Sequence, residues 1–163
     1  MRHPSFAPSL PPAACQMRIG GLCAGEHFRK MPRERGLAEL RSAFQRCGGL
    51  ASGDELAGLV RPHWDQAVST VARWIVTRSV LAVSWQAQTL LPLFQFEGPT
   101  MLLRGCMPAV LAELAPVYDE WDLALWFAEP NTWLDGAVPA ELVARRPAAV
   151  LEAARADRFV ARG

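Results

Sequence analysis

Residues 121–142 read WDLALWFAEPNTWLDGAVPAEL, and the rest of the chain is best read outward from them. Trp121, Leu125 and Trp126 recur at helical spacing, and Leu123 and Phe127 widen the apolar stripe, so the stretch opens as a packed helix. Pro130 has no amide hydrogen to carry that helix further and ends it. Asn131 is suited to cap the turn that follows, and Gly136 to take the left-handed conformation that closes it. Pro139 is placed to start a second helix. Nothing here is arranged as a nucleophile, a general base or a metal cage, so the segment reads as a shaped docking unit.

Downstream, Pro147 starts a last helix through Val150, Leu151 and Ala154. Arg155, Arg158 and Arg162 with Phe159 make a basic-aromatic end, and residues 157–163 are expected to be dispensable for folding. Upstream, Pro108 opens a helix carrying Val110, Leu111 and Leu114, and Asp119 or Asp122 caps the one after it. Val80–Trp85 and Thr89–Phe96 alternate like two strands joined across Gln86-Ala87-Gln88. Pro92 costs one ladder bond, which predicts an edge strand with Phe94 and Phe96 on one face and Gln95 on the other.

Further back, Leu37, Leu40, Ala43 and Phe44 mark a helix over 34–47, stopped by Gly48-Gly49. Ser52 and Glu55 form a capping-box signature before Leu56, Leu59 and Val60. Pro62 is suited to open a third helix with Trp64, Val68, Val71, Ala72, Ile75 and Val76. Three helices with a short middle one resemble a helix-turn-helix unit, with Arg41, Arg46, Arg73 and Arg78 as candidate DNA contacts. That basic set is thin for phosphate binding. Residues 1–32, punctuated by Pro4, Pro8, Pro11, Pro12, Pro32 and Gly20-Gly21, have few large apolar side chains and are expected to be a disordered tail.

A length of 163 residues suits one domain, and a net charge of +1 gives no global field toward nucleic acid or membrane. Residues 1–46 hold eight Arg/Lys against three acids, whereas 101–163 hold six against nine. Such polarity suits two partner surfaces or, equally, solvated helix faces. Residues 79–96 are uncharged, but Ser84, Gln86, Gln88, Thr89, Pro92 and Gln95 interrupt them, so no membrane span is expected. Cys15, Cys23, Cys47 and Cys106 form no C-x-x-C pair and follow no secretory signal, which predicts reduced thiols in a cytoplasmic protein. Cys15, Cys23 and His27 lack a fourth zinc ligand, and no metal or cofactor is expected. With His63 the only histidine beyond the tail and no Gly-rich loop after a strand, catalysis is not expected.

Trp126, Pro130, Asn131, Leu134, Gly136 and Pro139, with Leu142 behind them, resemble the toxin-binding domain of bacterial antitoxins of the Xre/MbcA/ParS type. LLPLFQFEG at 90–98, the helix around Val110 to Leu114, and Trp121 recur in the same order in one branch of that family, so the resemblance spans roughly residues 50–160. It implies a mainly α helical bundle with one small β-hairpin between an N-terminal helix-turn-helix-like part (33–100) and a C-terminal toxin-binding part (101–163).

The implied function is non-catalytic: capping a protein toxin encoded nearby, commonly a RES-domain enzyme that consumes NAD, with the C-terminal helices and tail. Several family members also dimerise and repress their own operon through the N-terminal part, which implies a candidate homodimer here. The candidate partner-binding residues are Trp126, Asn131, Trp133, Leu134, Asp135, Arg155, Arg158, Phe159 and Arg162; the resemblance places 158–163 toward the toxin, and Trp133 is singled out by its place in a corner where an aromatic can stay half exposed. Phe94, Gln95, Phe96, Pro130, Gly136 and Pro139 form the framework. Trp133 and the acidic 113–135 surface depart from many members, and the helix-turn-helix part is not recognisably a DNA reader. The alternative is a DNA-binding transcriptional regulator without a toxin.

Overall fold

Helix α1 (Arg33–Phe44) and a 3-10 turn (Gln45–Cys47) lead into Gly48 and Gly49, whose φ angles are +102° and +85°. A Cβ on Gly48 would lie 3.0 Å from that of Leu93, so glycine there meets both a backbone and a space requirement. The computed structural model describes residues 33–163, with side chains from Gly36 onward; the expectations for 1–32, including Cys15, Cys23 and His27, lie outside the described residues. The described chain is mainly α, with seven α-helices and two small antiparallel sheets.

Strand β1 (Leu50–Ser52), which the periodicity did not announce, precedes α2 (Gly53–Val60). The capping box is present: Ser52 N–H donates to Glu55 Oε2 at 2.7 Å, and Glu55 N–H donates to Ser52 Oγ at 3.2 Å. Pro62 sits in a 3-10 turn (Arg61–His63) and does not open the next helix; α3 (Ala67–Val76) starts five residues later. Strands β2 (Val83–Trp85) and β3 (Gln88–Pro92) form the hairpin, with a two-residue turn of Gln86 and Ala87 in place of the expected three.

The sheet order is β1-β3-β2, so β3 is the central strand and the edge-strand expectation fails. Pro92 is tolerated because it is the last residue of β3 and because Gln95 compensates for it. Continuing the register of Val83 with Leu90 would place Leu81 opposite Pro92, which has no N–H to give. The Gln95 amide supplies the missing rung. Its Nε2 donates to Leu81 O and Pro92 O, both at 2.9 Å, and its Oε1 accepts from Leu81 N at 2.6 Å. Gln95 is therefore fully buried in a 3-10 turn (Leu93–Gln95), contrary to the outward strand position expected.

The sheet is a wall between two cores. Its Val83 face, with Leu81, lies against Leu40 and Phe44 of α1 and against the C-terminal helices α4 (Met107–Leu114), α5 (Glu120–Ala128), α6 (Pro139–Leu142) and α7 (Pro147–Ala161). Its Ala51–Leu91 face covers α2 and α3. Phe94 enters the first core, 5.4 Å from Phe44 and 4.9 Å from Phe127 between ring centroids. Phe96 enters the second, 5.6 Å from Trp74. The expected shared face for Phe94 and Phe96 is thus wrong, because the 3-10 turn between them rotates the chain. A second ladder, β4 (Phe96–Glu97) with β5 (Leu102–Leu103), follows. Since α1 packs on the C-terminal helices, the expected boundary near residue 100 does not separate the cores.

Candidate functional site

The corner between α5 and α6 is built by backbone bonds before any side chain acts at distance. Asp119 caps α5, its Oδ1 accepting from Trp121 N at 2.9 Å and Asp122 N at 2.8 Å. The helix stops at Ala128, two residues before Pro130. Asn131 then nucleates a 3-10 turn (Thr132–Leu134): its Oδ1 accepts from Trp133 N at 2.8 Å. The same residue's backbone closes the loop, with Gly136 N donating to Asn131 O at 2.9 Å and Asn131 N to Ala137 O at 3.0 Å. Asp135 (φ +58°) and Gly136 (φ +79°) both adopt the left-handed conformation, so the expected Gly136 device is joined by a second residue.

One carboxylate ties this corner to the last helix. Asp157 of α7 accepts three neutral N–H donors: Trp126 Nε1 and Asn131 Nδ2, each at 2.7 Å to Oδ2, and Trp133 Nε1 at 2.9 Å to Oδ1. A carboxylate serving three donors is stronger than three separate neutral bonds. Sequence reasoning missed Asp157, although a signal existed. Val150, Ala153 and Ala154 define the buried stripe of α7, and Asp157 falls on it at i+3 from Ala154. An acid on an apolar stripe requires donors.

A second tie lies on the neighbouring face, where α7 meets α4. Glu113 accepts from Arg158 Nη1 and, at 3.3 Å, from Arg155 Nε; Arg155 also reaches Glu152 at 2.7 Å. Hydrogen bonds from Arg158 and then Arg155 hold the Glu113 carboxyl below its ordinary range, and Arg155 is correspondingly raised. These two arginines are thus engaged within the fold. The expectation that 157–163 is dispensable fails for the same reason: Asp157 and Arg158 both anchor α7.

The expected partner residues therefore divide. Leu134 is buried and Asn131 nearly so, both serving as framework. Trp126 is half-buried against the first core, edge-on to Phe127 at 4.9 Å. Trp133 is 55% exposed, Phe159 81% and Val160 45%, while Asp135 and Arg162 are exposed as well. Trp133 keeps its only polar atom on Asp157 and turns its apolar ring to solvent. Val160, three residues past Asp157, extends that face by one turn. Arg41, Arg46, Arg73 and Arg78 are all exposed, but Arg41 and Arg46 belong to α1 and its end, whereas Arg73 and Arg78 belong to α3 and its end on the other side of the sheet.

Burial raises the thiols of Cys47 and Cys106, which disfavours the reactive thiolate. Among the described residues no group of three or more His, Cys, Asp or Glu is arranged to hold a metal, and no helix is long and apolar enough to cross a membrane. No protein-family model, no curated protein and no solved structure matches the chain.

Proposed function

We propose that the chain is a non-catalytic, antitoxin-like protein that neutralises a protein toxin, of the NAD-consuming RES kind, by docking the Trp133 corner and the end of α7 on it. The observation that carries this reading is the Asp157 junction. It fixes the residues on which the antitoxin resemblance rests, Trp126 and Asn131, to the terminal helix. It also leaves Trp133 exposed on Asp157, with exposed Val160 one helical turn further along the same helix and Phe159 and Arg162 at its end. An exposed indole held rigid by its own hydrogen bond loses little freedom on binding, which is what interface anchors require.

The test is co-expression with the toxic enzyme of the neighbouring reading frame, scored as growth rescue and co-purification. Deletion of 159–163, which spares Asp157 and Arg158, should abolish rescue while the melting temperature stays nearly unchanged; Trp133→Ala should abolish it too, with a lower melting temperature from the lost bond to Asp157. Full rescue by both variants would overturn the docking surface. The regulator reading has weaker support, because the three-helix unit it needs is split: α1 packs with the C-terminal helices, away from α2 and α3. Salt-sensitive retention on the upstream DNA, lost with Arg41→Ala and Arg46→Ala, would restore it.

A further inference from the structure

A groove of about 460 Å³ runs along the edge of β2, between the end of α3 and the start of α5. Ile75, Ala82, Ala115 and Leu123 give it apolar surface over a floor of buried Val80, Leu81 and Leu111. Its two walls carry opposite charge. The α3 wall ends in Arg78, and the α5 wall begins with Asp119 and Glu120.

Three observations separate this groove from an ordinary surface dent. Arg78 holds φ +52°, left-handed backbone where glycine is the default closing residue of a helix. Its N–H donates to Ile75 O and the next N–H, from Ser79, to Trp74 O, the paired bonds of a helix C-cap that glycine would complete without strain. Yet the Arg78 guanidinium makes no hydrogen bond or ion pair among the described residues, so the fold gains nothing visible from the side chain that bears this strain. On the opposite wall, Asp119 uses only Oδ1 to cap α5, leaving Oδ2 for a cation. Glu120 holds the strand edge itself, accepting from Ser84 N at 3.1 Å and Ser84 Oγ at 3.2 Å.

We infer that this groove binds a small zwitterion with an apolar body, a hydrophobic amino acid. Its carboxylate lies on Arg78, its ammonium on Asp119 and Glu120, and its side chain on Ile75, Ala115 and Leu123. A cation on one wall and carboxylates on the other reject a pure anion or a pure amine, since each would meet one like charge. The volume falls in the range of small-ligand sites. The site is independent of the Trp133 corner, so neither reading depends on the other.

The experiment titrates the full chain with L-leucine and L-phenylalanine, followed by amide chemical shifts and calorimetry. The analogues 3-phenylpropanoate and 2-phenylethylamine, which lack the ammonium and the carboxylate respectively, are titrated in parallel. Saturable binding of at least one amino acid with Kd below ~1 mM is expected, with shifts confined to Ser79–Ser84 and the start of α5. Each analogue should bind at least about tenfold more weakly, the worth of one charge-assisted bond. Arg78→Gly relieves the backbone strain, so the variant stays folded and should also lose about tenfold in affinity. No saturable binding by either amino acid, equal binding by an analogue, or undiminished binding by Arg78→Gly would each overturn the proposal.

Discussion

The two cores on either side of the sheet are held in different ways. The C-terminal core gathers elements from both ends of the described chain and is crossed by long-range polar ties: Asp157 to Trp126, Asn131 and Trp133, and Glu113 to Arg155 and Arg158. The core under α2 and α3 rests on apolar packing, and its polar bonds are local, such as Ser52 with Glu55 and Thr77 with Arg73. It also leaves Leu59, Val68 and Val76 exposed. Hydrophobic burial is non-directional and sets that two elements meet; convergent hydrogen bonds set at what angle and with which residue outward. The region proposed to dock a partner is the one that has both.

Five substitutions sharpen or break this contrast, beginning with the most severe. Phe127→Ala removes a fully buried ring from between Phe94 and Trp126 and should cost about 3–5 kcal/mol; Leu56→Ala, its counterpart in the other core, should cost about 2–5 kcal/mol. Because the cores share the sheet, urea denaturation should show one transition in both variants. A separate early melting of α2 and α3 in Leu56→Ala would split them into independent units.

Gln95→Leu comes next. It strands Leu81 N–H together with the carbonyls of Leu81 and Pro92, and a loss of about 3 kcal/mol is expected. Faster hydrogen exchange at Leu81, ahead of Leu90 and Leu91, is the specific signature of the missing rung. Unchanged exchange at Leu81 would mean that Gln95 does not bridge the strand end.

Glu113→Gln tests the ion cluster through pH. The folded carboxyl lies below its ordinary value of 4.5, held there by Arg158 and then Arg155. A depressed acid contributes stability above its unfolded value, and that contribution is lost as pH falls through the lower folded value. The fall in melting temperature between pH 6 and pH 3 should therefore be smaller in Glu113→Gln than in the parent chain. An identical fall would remove Glu113 as a tie. Gln86→Gly is the mildest: Gln86 holds φ +52° in the hairpin turn, and glycine should raise stability by roughly 0.5 kcal/mol, read from the urea midpoint.

Local devices were legible. Ser52 with Glu55, Asp119 before α5, Asn131 after Pro130, and the prolines at the starts of α4, α6 and α7 each act within four residues of themselves, and all are found in place. The apolar spacing of Leu40, Phe44, Val110, Leu111 and Leu114 likewise named buried residues. A few errors were local, as at Pro62 and in the length of the hairpin turn, but the larger ones arose where one residue answers to another far along the chain. Gln95 looked outward because alternation assumes a strand, and only its bond to Leu81, fourteen residues earlier, explains its burial. Arg158 looked available to a partner because its acceptor, Glu113, lies forty-five residues away. Exposed Trp133 was legible as a corner residue, but Asp157, which fixes it, was not.

By itself the sequence determined a mainly helical chain, where most helices start and stop, and an aromatic corner between two prolines. Those features follow from backbone sterics, caps and periodicity, which operate over a single turn. Only the tertiary structure decided that α1 joins the C-terminal core, that β3 is central, and that the last helix is pinned by Asp157 and Glu113. Pairings across tens of residues depend on which surfaces and which donors meet once the chain is packed, and no local pattern encodes that choice.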